Sequence, residues 1–179
     1  IMNIVFFTGN SPRHKAFVNL LTKFSKKNLV ISEVKENYYI IDNSKKNIIE
    51  EHFKNRLINE IDFFSENGNY FQTDSISLPY GNASSSYVNN IIRDFNPQCA
   101  IIFGSSILKE NIIQTLGNIP KINLHLGLTP YFRGSGCNFW PLYLNKPEFI
   151  GASIIELDSG IDTGDLIHQF NEVFTSTDT

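Results

Sequence analysis

The stretch "CAIIFGSS", residues 99–106, decides how this chain folds. Its first five residues are apolar without a break, the pattern of a strand covered on both faces of a parallel sheet rather than of an amphipathic edge. Gly104, Ser105 and Ser106 end the run, and "ILKENIIQTLG", 107–117, follows with helical spacing. Working outward, Pro120 resets the chain and "KINLHLG", 121–127, reads as another strand, while "SYVNNIIRDF", 86–95, reads as a helix stopped by Asn96-Pro97. Nearer the start, "NIVFFT", 3–8, is a strand closed by Gly9, and Ser11-Pro12 reads as a helix cap with proline at the first helical position. Ala16, Phe17, Leu20, Leu21 and Phe24 continue that helix, and "NLVISEV", 28–34, is a second strand. This alternation predicts an α/β fold, a doubly wound, mostly parallel sheet with helices on both faces. Its ligands would bind at the carboxyl ends of the strands, where residues 104–106 and 123–127 lie.

Two further segments extend the pattern. From Asn43 to Phe64, the residues Ile49, Phe53, Leu57, Ile61 and Phe64 form one stripe of a long amphipathic helix, read as packing rather than as a recognition surface. "SENGNYFQTD", 65–74, reads as loop. Past the strand at 121–127, "FIGASIIEL", 149–157, and "DLIHQFNEVF", 165–174, read as two strands joined by the acidic, glycine-rich loop "DSGIDTG". The expected organisation is one domain over residues 1–179, with a helical insertion around 43–66.

Composition narrows the partners. With 179 residues and 41% hydrophobic side chains the chain can bury one sizeable core. Fifteen Lys and Arg against 18 Asp and Glu leave a net charge of -3, without the dense basic patch that binds phosphate backbones, so nucleic acid is not the expected partner. The two cysteines, Cys99 and Cys137, show no metal-ligand spacing and suit a reducing compartment, so no metal is expected. The segment Met2–Phe7 is too short for a signal sequence, and no apolar run approaches the ~18 residues of a membrane span. A cytoplasmic protein without membrane contact is expected.

The chemistry concentrates near residue 125. Asn123 and His125 are two apart on a strand, so their side chains point to the same side of the sheet. An Asn amide can donate to a developing oxyanion, and a His can donate there or move a proton. An Asn-x-His pair alone is more often a turn-former beside a hydrogen-bonded histidine than a catalytic pair. The loop "LDSGIDTGD", 157–165, adds three carboxylates: Asp158 and Asp165 read as turn caps, whereas Asp162 could approach His125 and orient it. Gly9-Asn10-Ser11 at a helix N-terminus, followed by Arg13, His14 and Lys15, is a candidate anion site. Arg133 is a second candidate contact for a phosphate or carboxylate.

The segment "INLHLGLTPYFRGSGCNFWPLYLNKPEFIGASIIELDSGIDTGDLIHQ", 122–169, resembles the catalytic core of the folate-dependent formyltransferases. The resemblance lies in the Asn-x-His strand end, a Pro turn closing in Arg-Gly, an aromatic helix, a Gly-initiated strand and the Asp-x-Gly loop, in that order. It implies a Rossmann-like catalytic domain that uses 10-formyltetrahydrofolate as formyl donor to a primary amine. Asn123 and His125 would hold the oxygen of the tetrahedral intermediate, and Asp162 would orient His125 and help withdraw the amine proton. Backbone groups of Gly104, Ser105, Ser106 and Ile107 on one side, and of Ser159, Gly160 and Ile161 on the other, would hold the pterin. Read without the resemblance, Gly104-Ser105-Ser106 is equally a helix cap.

The family's usual Ser-Leu-Leu-Pro stands here as Gly127-Leu128-Thr129-Pro130, and the resemblance implies further helices beyond Thr179. The expected acceptor is a small phosphorylated amine, an amino sugar nucleotide first, with Arg13 and Arg133 as substrate contacts. Other readings are a methionyl-tRNA or glycinamide ribonucleotide formyltransferase, a formyltetrahydrofolate hydrolase, a thiol enzyme using Cys137 with His125, or a non-catalytic folate- or nucleotide-binding module.

Overall fold

The computed structural model describes residues 2–35 and 46–171. The long helix expected from Asn43 is observed from Lys46, and residues 43–45 lie outside the described ones, as does the end of the last strand beyond Asn171. The elements run β1 (Asn3–Gly9), α1 (Pro12–Leu21), β2 (Lys27–Val34), α2 (Lys46–Phe64), β3 (Ser75–Pro79), α3 (Ser86–Phe95), β4 (Cys99–Phe103), α4 (Glu110–Leu116), β5 (Lys121–His125), α5 (Phe139–Tyr143), β6 (Gly151–Glu156) and β7 (Leu166–Asn171). They build one seven-stranded sheet in the order β3-β2-β1-β4-β5-β6-β7. The first five strands pair in parallel, and β6 and β7 add to one side antiparallel. The doubly wound, mostly parallel sheet expected from the sequence is the one observed.

The apolar runs are continuous because both faces of the central strands are covered. On β1, Val5 and Phe7 face a core shared with Val88 and Ile92 of α3 and Ile112 of α4, while Ile4 and Phe6 face Val18 of α1. Each such side chain withdrawn from water contributes about 1.5–3 kcal/mol, which is why a charge cannot replace one in either layer. β3 was not foreseen. It is five residues long and pairs with β2 on one side only, with Pro79 at its end, as suits an edge position where a missing N–H costs no ladder bond. The alternation Ser-Ile-Ser-Leu was its legible signal.

Two other expectations need correction. The stripe of α2 is not a buried seam: Ile49, Phe53 and Phe64 are half-buried, whereas Leu57 and Ile61 are about half exposed, at 48% and 50%. Gly104-Ser105-Ser106 is not a helix cap, because α4 starts at Glu110 with Lys109 in the capping position.

Buried polar side chains fix the connections. Asn19 of α1, only 3% exposed, donates to the carbonyls of Asn67 and Tyr70 at 2.9 and 2.8 Å and accepts from the Gln72 amide at 2.8 Å. One side chain thus ties the segment after α2 to α1. Replacing Asn19 by Ala leaves two carbonyls and one amide without their partner, and the expected loss is about 1–3 kcal/mol of unfolding free energy, read from urea denaturation.

Candidate active site

β5 positions the first two functional side chains, and β6 sets where the third must come from. β6 runs antiparallel to β5, with Ser153 beside His125 and Glu156 beside Ile122. The chain leaving β6 is therefore at the entry end of β5, and the loop 157–165 has to travel back along the sheet to reach the level of Asn123 and His125. It does so, and delivers Asp162 at φ 51°, a left-handed conformation that Asp tolerates better than most residues.

The Asp162 carboxylate joins three groups. Asn123 Nδ2 donates to Oδ1 at 2.9 Å, His125 Nδ1 lies 3.2 Å from Oδ2, and the Gly134 amide donates to Oδ2 at 3.0 Å. Asp162 is largely withdrawn from solvent, with 15% of its side chain exposed, and His125 with 6%. On its other side, His125 Nε2 lies 2.9 Å from the Phe132 carbonyl oxygen. Both ring nitrogens thus face acceptors, and the ring satisfies both at once only when both carry hydrogen. The Asn123 amide has a second N–H beyond the one given to Asp162. The arrangement can hold and move a proton along His125–Asp162 and can present amide hydrogen to an oxygen that becomes negative.

The loop 127–134 is held from behind. Ser153, fully buried, donates to the Gly127 carbonyl at 2.7 Å and accepts from the Thr129 amide at 3.0 Å, while Gln169 of β7 donates to Ser153 Oγ at 3.0 Å and to the Thr129 carbonyl at 2.5 Å. Sequence reasoning missed both. A serine inside the apolar run 150–155, opposite a polar strand end, was the available clue. Cys137, also buried, donates from Sγ to the Gly134 carbonyl at 3.4 Å. Burial first, and the charge of Asp162 second, push its thiol above the ordinary value, so it lacks the thiolate character that a thiol enzyme requires.

The residues flanking this constellation divide. Gly104 follows β4, whose Ile102 pairs with Asn123, so the segment Gly104–Ile107 passes close to the level of His125. Gly104 and Ile107 are exposed. Ser159, Gly160 and Ile161 are exposed on the loop that carries Asp162, although the Gly160 amide donates to Asp158 at 3.0 Å. Asp158 also accepts from Thr163 at 2.9 Å, which is the turn-capping role expected of it. Arg133 is exposed beside Gly134.

The Arg13 guanidinium pairs with Glu60 of α2, and the Arg13 amide donates to Glu60 at 3.4 Å. A carboxylate of the protein itself thus lies beside Arg13 at the N-terminus of α1. A groove lined by Ser11, Phe53, Lys54, Arg56, Leu57 and Glu60 lies there and includes none of the residues around His125. Among the described residues no group of three or more His, Cys, Asp or Glu could hold a metal, and no helix is long and apolar enough to cross a membrane.

His14 has a structural place. The Ser11 amide donates to its Nδ1 at 3.2 Å, and the ring fills the space between the ends of β1 and β4: a Cβ on Gly9 would lie 2.5 Å from the ring, and one on Gly104 2.3 Å. Burial above all, then Arg13, Arg56 and Lys15, lowers its pKa from 6.5 to about 3. Between those values the unfolded chain binds a proton that the folded chain does not, so acidification costs stability. From pH 7 to pH 5 the wild type should lose about 2 kcal/mol more than His14→Gln, measured by denaturant unfolding at each pH. Gly127 has a similar constraint, since a Cβ there would lie 2.5 Å from Cys137 Cβ and 2.6 Å from His125 Nε2. Gly127→Ala should cost about 1–3 kcal/mol of stability through overpacking, read from the same unfolding curves.

No family model matches the chain. It is 33% identical over 76 residues to methionyl-tRNA formyltransferase of Desulforamulus reducens, covering 42% of this chain and 24% of that protein. The corresponding enzyme of Clostridioides difficile is 35% identical over 81 residues, with the same shares of the two chains. The chain thus spans about a quarter of the length of the curated relatives it matches. Among solved structures, phosphoribosylglycinamide formyltransferase from Bacillus halodurans superposes with a TM-score of 0.66 at 15% identity, over 99% of this chain and 82% of that one. A sugar N-formyltransferase from Shewanella sp. superposes with a TM-score of 0.57 at 15% identity, over 97% of this chain and 58% of that one. Over part of its length the chain is thus similar in sequence to methionyl-tRNA formyltransferases, and it shares the fold of the phosphoribosylglycinamide and sugar N-formyltransferases.

Proposed function

We propose that this chain transfers a formyl group from 10-formyltetrahydrofolate to the primary amine of a small phosphorylated substrate, an amino sugar nucleotide first among them. The observation that carries the reading is the Asp162 carboxylate shared between Asn123 and His125. In the reaction the amine lone pair attacks the formyl carbon, a C–N bond forms, and the carbonyl electron pair moves onto oxygen. The second N–H of Asn123 and a ring N–H of His125 are the donors for that oxyanion. The Phe132 carbonyl that faces Nε2 gives way to it, because a charged acceptor makes the stronger hydrogen bond. Asp162 orients the ring and takes the proton leaving the amine, and the intermediate collapses by breaking the bond to N10 of the folate, which takes up a proton.

The donor lies between Gly104–Ile107 and Ser159–Ile161, where Gly104, Ile107, Ser159, Gly160 and Ile161 are exposed and backbone N–H and C=O groups are able to read a pterin. Arg133, exposed one residue from the amide that binds Asp162, is a candidate contact for an anionic group of the acceptor. A net charge of -3 favours a small acceptor over tRNA.

The test is incubation with 10-formyltetrahydrofolate and, separately, amino-sugar nucleotides, glycinamide ribonucleotide and methionyl-tRNA, with products weighed by mass spectrometry. A formamide of the sugar nucleotide is expected. A formylated tRNA or ribonucleotide would reassign the acceptor, and tetrahydrofolate released without any amine would mean hydrolysis. Asn123→Ala and His125→Ala should each lower kcat about 10²- to 10³-fold with the folded state retained on circular dichroism, and a near-normal rate in either would remove the assignment.

A further inference from the structure

Glu33, at the carboxyl end of β2, is a buried carboxylate that the mechanism leaves unused. It is 2% exposed and surrounded by neutral donors. Oε1 accepts from the amides of Gly81 and Ala83 at 2.8 and 2.9 Å and from Ser106 Oγ at 2.9 Å, and Oε2 accepts from the Ser106 amide at 2.5 Å. Among the described residues, these donors are all neutral. Stranding a carboxylate in a low-dielectric site is costly unless its lone pairs are matched, so the four donors are held firmly where they are.

Their positions matter. β2 and β4 are not neighbours: β1 lies between them. To reach Glu33, the chain leaving β4 has to cross the end of β1, and the His14 ring beneath Gly104 leaves it little latitude. The same carboxylate holds the turn after β3, and Ser84 of that turn accepts from the Lys109 amide at 2.9 Å, closing the connection at the start of α4. Between these anchors lie Gly104, Ser105 and Ile107. Ser105 Oγ donates to the Ser106 carbonyl at 3.0 Å, so both backbone groups of Ser106 are already used within the protein. Ile107 is left 66% exposed, an apolar side chain held outward beside an open backbone edge.

We propose that Glu33 is a positioning residue for the formyl donor: by gripping Ser106 it sets the course of Gly104–Ile107, the backbone against which the pterin is read. The inference rests on the donor reading above. Glu33 touches neither the donor nor the acceptor, and acts through Ser106. A Gln at this position keeps the size and the acceptor at Oε1, but its amide would set N–H against the Ser106 N–H, two donors face to face.

The experiment measures binding of 5-formyltetrahydrofolate, a non-reacting analogue of the donor, by calorimetry, beside steady-state kinetics with the acceptor found active. Glu33→Gln should weaken analogue binding about tenfold or more and raise KM for the donor in parallel, with KM for the amine unchanged and a smaller effect on kcat. A merely structural role would lower kcat through the active fraction and leave the affinity of the folded molecules as it was. Should Glu33→Gln not fold, Ser106→Ala, which removes one of four donors, carries the test with an expected weakening of about threefold. Binding by the wild type with equal affinity in the folded variants overturns the inference and leaves the proposed function standing. No binding by the wild type overturns both.

Discussion

One carboxylate holds the candidate site together. Asp162 lies on a loop that no strand register forces into place, yet its two oxygens join the middle of β5, the end of β5 and the amide of Gly134. Without it, Asn123 would lose the hydrogen bond that fixes its amide, and His125 would keep only its contact with the Phe132 carbonyl. With it, the rotation of the amide, the aim of the imidazole and the course of the 127–134 loop become one problem with one solution. Charge-assisted hydrogen bonds of this kind are stronger than neutral ones and more exacting in geometry, which is what a site that stabilises a developing charge requires.

The same device recurs around the sheet. Glu33 at the end of β2, Ser153 on β6 and Asn19 on α1 are each buried and polar, and each spends its hydrogen bonds on backbone groups of segments that have little apolar surface of their own. The apolar layers determine that β1 to β5 stack in parallel between helices. They do not determine where a connection leaves the sheet. A buried donor or acceptor does, because any other course for the connection leaves it unpaired. In this protein the loops that flank His125 are set from behind by side chains that do not contact the triad.

Much of this was open to reading from residue patterns. The central strands announced themselves because burial on both faces removes alternation, and α3 because Asn96-Pro97 stops a helix-like segment. Asn123, His125 and Asp162 could be named because two share a strand face and the third follows a buried strand in a glycine-rich turn. β3 was missed because it is a short edge strand with half its residues facing water. The stripe on α2 was overread, since helical spacing shows that a face exists and not that anything covers Leu57 and Ile61. The pairing of Arg13 with Glu60 was not legible, because its partner lies 47 residues away on α2.

By itself the sequence determined the layers: the order of strand and helix, the parallel sheet, and the residue types able to stabilise and protonate an oxygen. Those follow from periodicity and local chemistry, which act over a few residues. The tertiary structure decided the assignments between them, because hydrogen bonds from Asn123 to Asp162, from Ser106 to Glu33 and from Arg13 to Glu60 join residues that only the closed sheet brings within 3.5 Å. A buried charge takes whichever partner the fold sets beside it, and distance along the chain says little about which that will be.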